Sequence, residues 1–468
     1  MNRLEQDGVR WELRPDFQPL LQAVLQSPGR VVKESPAKLV TAHTLDGTTY
    51  FVKRYRNDAV PLRPLKYFFK HSQAREEWEL SQQLDALAIP IVRHLALGER
   101  WTATGLQEAI LITEGFAGTG LDEAKNLDLD ALLEFLDRMH RQGVVHRDLH
   151  PQNLLVRAEP FEMRLVDLHG IVVRNEIGEE ERADMLAFLK IFLPLPVSGE
   201  IEQRGLEMRK KAFAARARRC LKRNRDFAPE TFGALRWQTR QPSLNAAVEK
   251  ILRDPDGFLR EEAALLKDGR SSTVGAAHGL VLKRYNFRKA LNPLKDLFRQ
   301  SRARGSFLKA YHLELAGIPT ARVIACAEER CAGLVRRGFF LMEEIPGAVE
   351  LPKWRGDKRT AARSIADLVA RLHHEGFSHR DLKETNILLD PDGQAWLIDL
   401  EGLNFEHTVS PERAAADLMR LDRGAVQLRD FGPSDRMNFL RHYCRVRKIR
   451  PRDIFARPQG MARRAAPE

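Results

Sequence analysis

The 468-residue chain predicts an α+β protein of two tandem domains, each a small β-rich lobe followed by a helical lobe. Two observations carry this expectation. The stretch HRDLHPQN at 146–153 returns as HRDLKETN at 379–386, and the sequence around it repeats in register. Both copies also run through the same order of patterns, from β-branched and aromatic runs to an amphipathic helix just ahead of the repeated stretch. The offset is 283 − 53 = 230 residues between Lys53 and Lys283, and 381 − 148 = 233 between Asp148 and Asp381. A period this long means two domains, not a solenoid of small repeats.

The elements follow in order. TYFVKRY (49–55) and its match GLVLKRY (279–285) carry β-branched and aromatic residues up to a lysine, as strands do. RPLKYFFKHSQAR (63–75) matches NPLKDLFRQSRAR (292–304). A helix is expected over SQAREEWELSQQLDALA (72–88) and a strand over EAILITE (108–114). LDALAIP (84–90) and ILITEGF (110–116) recur as LELAGIP (313–319) and FFLMEEI (339–345). The second lobe opens on LDLDALLEFLDRMHRQG (127–143), where Leu129, Leu132, Leu133, Leu136 and Met139 share a helical face, and AARSIADLVARLHHEG (361–376) is its partner. RLVDLHG (164–170) and WLIDLEG (396–402) are short apolar runs, each with an Asp, beyond the repeated stretch. APETFGALRWQTRQPS (228–243) has turn formers and little periodicity, which places the join there and the domains at 1–235 and 236–468.

Composition narrows the function classes. Hydrophobic residues make up 43%, enough for a full core in each half. The four cysteines, Cys220, Cys326, Cys331 and Cys444, are too few for a disulfide framework; CAEERC (326–331) has no second Cys or His pair beside it, so reduced thiols are expected. The first residues are charged, without the apolar core of a secretory signal, and no run approaches a membrane span, so the chain reads as cytoplasmic, soluble or peripheral. A net charge of +12 implies an anionic partner: nucleic acid, lipid headgroups or a phosphorylated substrate. The basic residues lack the aromatic interleaving of single-strand readers and no groove-binding motif is present, so nucleic acid ranks last. EMRKKAFAARARRCLKRNR (207–225) is the densest basic cluster, with Leu206, Phe213, Ala217 and Leu221 on one stripe. It reads either as a membrane-surface helix or as a lobe helix with a solvated basic face.

Both halves hold a strand lysine, an HRD-x-x-x-x-N loop and a later strand-borne Asp, and the first adds a helix Glu. This set, found twice in register, resembles the protein-kinase-like fold. Phosphoryl transfer asks mainly for positioning and charge neutralisation. The resemblance makes Asp148 and Asp381 the bases that accept the proton of the attacking hydroxyl. Lys53 and Lys283 would hold the α/β-phosphates of ATP, with Glu77 or its neighbour Glu76 orienting Lys53. Asn153 with Asp167, and Asn386 with Asp399, would grip Mg2+. Leu155 and Leu388 would lie under the adenine, and the backbone at Glu114–Phe116 and Glu343–Ile345 would form the hinge. Lys383, where the first half has His150, would reach the γ-phosphate. His146 and His379 would pack under the catalytic loop and Arg147 and Arg380 orient it.

The layout after that Asp is short. Asp184 follows Asp167 by 17 residues and Asp417 follows Asp399 by 18, each expected to brace the catalytic loop from the next helix. SPERA (410–414) leaves little room for a peptide-binding platform. With KRY, the GIP-type helix end and HRDLHPQNLL, the chain is similar to the bacterial lipopolysaccharide core kinases, the Kdo/WaaP and InaA-like family, over roughly 28–190 and 265–425. The resemblance implies an ATP- and Mg2+-dependent kinase for a heptose or Kdo hydroxyl of the inner core, peripheral at the cytoplasmic face of the inner membrane. Its partners would be the core glycolipid, the anionic membrane surface and other core-assembly enzymes.

Two departures keep alternatives open. Neither half has a full G-x-G-x-x-G loop; SPGRVVKESPAKLV (27–40) and KDGRSSTVGAA (267–277) stand in its place. The second half has no acid before Glu314 at the helix position of Glu77, which makes the first half the favoured catalyst, while Lys383 speaks for the second. A kinase with a protein or small-molecule substrate, and a pseudokinase scaffold in envelope assembly, are the competing readings.

Overall fold

The computed structural model describes residues 1–59, 63–124, 128–193, 195, 197–233, 235–286, 300–331, 334–427 and 431–455. It divides into two units, Met1–Met208 and Arg209–Glu468. Each opens on a seven-stranded antiparallel sheet. In the first unit the spatial order is Asn2–Gln6, Val9–Leu13, His94–Thr102, Gly105–Glu114, Thr48–Arg56, Lys38–Leu45 and Gly29–Ser35. The second unit repeats this with Phe227–Phe232, Leu235–Arg240, Val323–Cys331, Leu334–Glu343, Leu280–Tyr285, Ser272–Ala277 and Ala264–Gly269.

The sheet carries apolar residues on both faces. In the first unit Val9, Trp11, Leu13, Val52 and Ile112 bury one face beneath Phe17, Leu21 and Val24. On the other face Tyr55, Leu97 and Leu111 meet Trp78 and Ala74 of the helix Gln73–Ala86. Ser72 caps that helix by accepting from the Arg75 amide at 3.1 Å, and Ser301 caps its counterpart Arg302–Leu315 at 3.2 Å. Arg75 ties the first helix to Glu99 of the sheet at 2.9 Å, and Arg304 faces Glu328 at 3.5 Å in the same position of the second unit.

The helical lobes follow the same plan. Leu129–Arg141 buries Leu132, Phe135, Leu136 and Met139, so Phe135 joins the expected stripe while Leu133 is only half-buried. Lys358–His374 is its counterpart. Each helix runs into a three-residue strand, Val144–His146 or Phe377–His379, which pairs with Ile171–Val173 or Leu403–Phe405. Between these partners lies a hairpin, Leu154–Arg157 with Glu162–Leu165 and Ile387–Leu389 with Ala395–Leu397. Single bridges, Ile91 to Leu165 and Thr320 to Leu397, tie the hairpins to the sheet lobes.

The boundary differs from 235/236. APETFGALRWQTRQPS is largely the hairpin Phe227–Phe232/Leu235–Arg240, whose first strand edges the second sheet. Pro229 is tolerated there because an edge strand has unpaired positions on its outer side. The helix Gly199–Arg218 carries the division, and within the second unit its basic stretch is a lobe helix. Ala214, Ala217 and Cys220 are buried, Lys210 is 4% exposed and donates to the His407 carbonyl at 2.9 Å, and Arg209 pairs with Glu375. Cys220, Cys326 and Cys444 are buried and form no disulfide. No described helix is long and apolar enough to cross a membrane. NPLKDLFRQSRAR lies mostly outside the described residues.

Candidate active site

In the first unit Lys53, on the strand Thr48–Arg56, is 2.7 Å from Glu77 Oε1 on the helix Gln73–Ala86. Glu76 is exposed and faces Lys70 instead, so Glu77 is the partner. Wholly buried His94 approaches the same oxygen at 3.3 Å through Nε2, with its Nδ1 2.9 Å from the Val92 carbonyl. Burial pushes the Glu77 carboxyl up, but Lys53 and His94 outweigh it and hold it at about 2. Glu77 and Asp167 line a cleft of about 280 Å³ together with Lys38, Tyr55, Gln73 and His169. Burial and the nearby Lys53 push the Lys38 ammonium down.

The residues of the HRD loop come from the turn after Val144–His146. Asp148 is exposed at the surface of the loop, and Asn153 Nδ2 donates to its carbonyl at 3.3 Å. His146 sits beneath, its Nδ1 accepting from the Asp148 amide at 3.3 Å and its Nε2 3.1 Å from the Asp167 carbonyl. One imidazole thus ties the Asp148 loop to the Asp167 loop, and burial pushes it toward the neutral form. The second unit repeats this: His379 Nδ1 accepts from the Asp381 amide at 3.2 Å, Nε2 meets the Asp399 carbonyl at 3.1 Å, and Asn386 donates to the Asp381 carbonyl at 2.8 Å.

The remaining expected residues fall around these loops. Glu114 ends the strand Gly105–Glu114 and faces Arg93 at 3.4 Å, while Glu343 ends Leu334–Glu343 and faces Arg322 at 3.0 Å. Phe116 lies under Arg157 and Arg164, whose guanidinium carbons stand 5.1 and 4.9 Å from its ring centre. The Ile345 carbonyl accepts from Ala348 at 3.2 Å. Leu155 pairs across the sheet with Gly120 and Leu388 with Glu350, residues that come just after the expected hinge stretches. Lys383 Nζ is 2.9 Å from Asp381 Oδ2, whereas His150 caps the next turn by accepting from Gln152 at 3.3 Å and packs, tilted, against Phe192 with ring centres 4.6 Å apart.

The loop braces diverge. Asp417, 1% exposed, accepts from the His379 amide at 2.7 Å and also meets His373 and Arg420 at 3.4 and 2.8 Å. Asp184 instead pairs with Arg204, so the expected brace is made in the second unit and not in the first. The lysine partners diverge too. Lys283 faces Asp399 at 2.9 Å and Glu401 at 3.4 Å, and Glu314 does not substitute for Glu77 because Arg240 holds both its oxygens at 2.8 Å. Glu401, Arg302, His94 and Lys38 were not signalled by the motif, because only the fold brings them to the strand lysines.

The donor sets suit a hard cation brought in with a nucleotide. Asn153 donates through Nδ2, which leaves Oδ1 for a metal, and Asp167 Oδ1 accepts from the His169 amide at 3.1 Å, which leaves Oδ2. No cluster of three or more His, Cys, Asp or Glu ligands occurs among the described residues. An Asn–Asp pair completed by water and phosphate is what Mg2+ accepts.

The Lipopolysaccharide kinase (Kdo/WaaP) family matches the chain at residues 22–202 and again at 284–443. A 3-deoxy-D-manno-octulosonic acid kinase of Xylella fastidiosa (strain M12) is 38% identical over 108 residues, 22% of this chain and 43% of that protein. One from Stenotrophomonas maltophilia (strain K279a) is 33% identical over 139 residues, 28% of this chain and 52% of that protein. The chain thus spans about half the length of these curated relatives, or less. A solved structure of WaaP in complex with acyl carrier protein is 24% identical and covers 42% of this chain and 87% of its own, at a TM-score of 0.31, too low for shape alone to decide anything. With matches to both halves covering well over half of its residues, the chain belongs to the lipopolysaccharide kinase (Kdo/WaaP) family.

Proposed function

We propose that the protein is an ATP- and Mg2+-dependent kinase that phosphorylates a sugar hydroxyl, of heptose or Kdo, in the lipopolysaccharide inner core. The observation that carries the reading is the half-buried Lys53–Glu77 pair at 2.7 Å, whose Glu77 lines the same cleft as Asp167 and lies in the same unit as the Asp148–Asn153 loop. Lys53 would hold the α/β-phosphates. Glu77, kept ionised, would hold Lys53 extended toward them. Asp148, exposed on its loop, can accept the proton of an incoming hydroxyl, while the His146 contacts keep that loop fixed relative to Asp167. Asn153 and Asp167 would hold Mg2+, which neutralises the phosphate oxygens as charge moves toward the leaving group. The hinge backbone around Glu114–Phe116 would meet the adenine above Leu155.

The substrate half of the reading is supported by family membership and by the net charge of +12. An anionic glycolipid in an anionic leaflet favours basic surface. We place the protein as peripheral at the inner membrane, with 63–71 as the contact: Phe69 is 94% exposed, Phe68 52% and Leu65 43%, beside Arg63, Lys66 and Lys70.

The test is Mg-ATP-dependent transfer of labelled phosphate to under-phosphorylated core, with wild type, Asp148→Asn and Asp381→Asn. Loss of a general base costs about 10²–10⁴-fold in rate. If one substitution alone has that effect, it identifies the catalytic unit; if each removes a different phosphorylation site, both units are catalysts. A folded, nucleotide-binding wild type that transfers nothing to the glycan would overturn the substrate assignment.

A further inference from the structure

The two copies differ around the strand lysine as a set. In the first unit the positions 38, 73, 77, 94 and 169 are Lys, Gln, Glu, His and His; in the second the matching positions 272, 302, 306, 323 and 401 are Ser, Arg, Ser, Val and Glu. The strand pairings fix the first match, since Lys38 and Ser272 lie opposite Tyr55 and Tyr285. Gln73 and Arg302 each follow the capping serine of their helix, and His169 and Glu401 each stand two residues after the Asp of the DLxG run.

These changes compensate one another. With Ser306 in place of Glu77 the helix offers Lys283 no charge, and the Ser306 hydroxyl instead accepts from Tyr285 at 2.8 Å. The histidine that supports Glu77 is a wholly buried valine, as befits a position with no acid left to meet. A carboxylate arrives from the opposite wall as Glu401, 3.4 Å from Lys283. Arg302 grips both Glu401 oxygens at 2.7 Å and donates a further bond to the Ser271 carbonyl, 2.9 Å away in the turn of the phosphate-side hairpin. A site drifting toward loss of function would discard the helix acid without acquiring a clamped replacement and removing its histidine.

We propose that Glu401, held by Arg302, is the positioning carboxylate of the second site, doing for Lys283 what Glu77 does for Lys53, so that the second unit is an organised nucleoside-triphosphate site and not a relic. This rests on the reading of both units as nucleotide-binding. Asp399 also faces Lys283 at 2.9 Å, but it is the carboxylate a metal would claim. When Mg2+ and nucleotide arrive, Glu401 is left as the anion that keeps Lys283 in place.

The experiment uses the full chain with the first site silenced by Lys53→Met and Asp167→Asn, and reads Mg-ATP binding by calorimetry beside the melting temperature without nucleotide. Glu401→Gln should weaken binding about tenfold, the loss of one charge-assisted contact, and Arg302→Gln should weaken it in the same direction. The transplant Ser272→Lys/Arg302→Gln/Ser306→Glu/Val323→His/Glu401→His, which rebuilds the first unit's arrangement, should bring affinity back to within about threefold, a fraction of that contact. A structural role for Glu401 predicts a lower melting temperature and no rescue by the transplant. Parental affinity in Glu401→Gln, where Lys283→Met abolishes binding, overturns the proposal and leaves the nucleotide reading intact. No binding in the silenced chain, where the chain with Lys53 and Asp167 restored does bind, overturns both the proposal and the reading of the second unit.

Discussion

A carboxylate as buried as Glu77 is held ionised only by what faces it. Its ordinary value of 4.5 is depressed to about 2 because Lys53 and His94 outweigh the burial that alone would raise it. The sign follows by linkage. With the folded value below the unfolded one, the pair's contribution to stability is complete above about 4.5 and is lost as pH falls toward 2. Lys53→Met removes the main stabilising charge and leaves burial opposed by His94 alone. The carboxyl then rises, so the variant should be less stable than wild type at neutral pH, and the difference should shrink as pH falls from about 4.5 toward 2. Denaturant unfolding at neutral and at acid pH, followed by tryptophan fluorescence, measures this, since Trp78 sits on the same helix, 1% exposed. A difference that stays the same at both pH values would mean that Glu77 draws its stabilisation from elsewhere. The pair itself could be read in the sequence, because a strand lysine and a helix acid belong to a short motif. His94, Lys38 and Glu401 could not. Their contacts close over long separations, as between Lys283 and Glu401, and only the fold brings them together.

At the scale of elements, legibility tracked burial. Strands and helices that bury one face, such as Thr48–Arg56 and Leu129–Arg141, announce themselves by period. The edge hairpins did not. Asn2–Gln6 alternates only between half-buried and exposed positions, and Phe227–Phe232 contains a proline, so each reads as loop. The Asp7–Gly8 turn, both residues at positive φ, is the signal that would have found the first hairpin. The segment Pro64–Phe68 and the residues after it raise a different question, because Phe69 has no core to enter at 94% exposure. Full burial of an aromatic side chain is worth about 1.5–3 kcal/mol, and a basic residue near an anionic leaflet about 1 kcal/mol. Phe68→Ser/Phe69→Ser should therefore weaken binding to vesicles containing anionic lipid about tenfold or more, while nucleotide affinity stays at the wild-type value. Equal cosedimentation of variant and wild type would remove 63–71 as the membrane contact.

For the whole molecule, duplication explains why so much of one half could be inferred from the other, and the boundary tests how far it extends. The repeat includes the edge hairpin of each sheet, so the second copy starts before 236. Phe227, 1% exposed, packs edge-on against Phe307 at 5.7 Å and Tyr311 at 4.8 Å, both on the helix Arg302–Leu315. Ala217 and Cys220, also before 236, belong to the same core. A fragment beginning at 236 would leave Leu235–Arg240 truncated and without its partner strand, and would open the space that Phe227 fills. Loss of a buried phenylalanine side chain alone costs about 3–5 kcal/mol, a large part of the roughly 5–15 kcal/mol that holds a domain together. Fragment 209–468 should therefore unfold in one cooperative transition and retain nucleotide binding, whereas 236–468 should aggregate or melt far lower. Calorimetry on both fragments decides it. Equal melting temperatures would make the hairpin and the helix end dispensable, and would return the boundary to the stretch around 235.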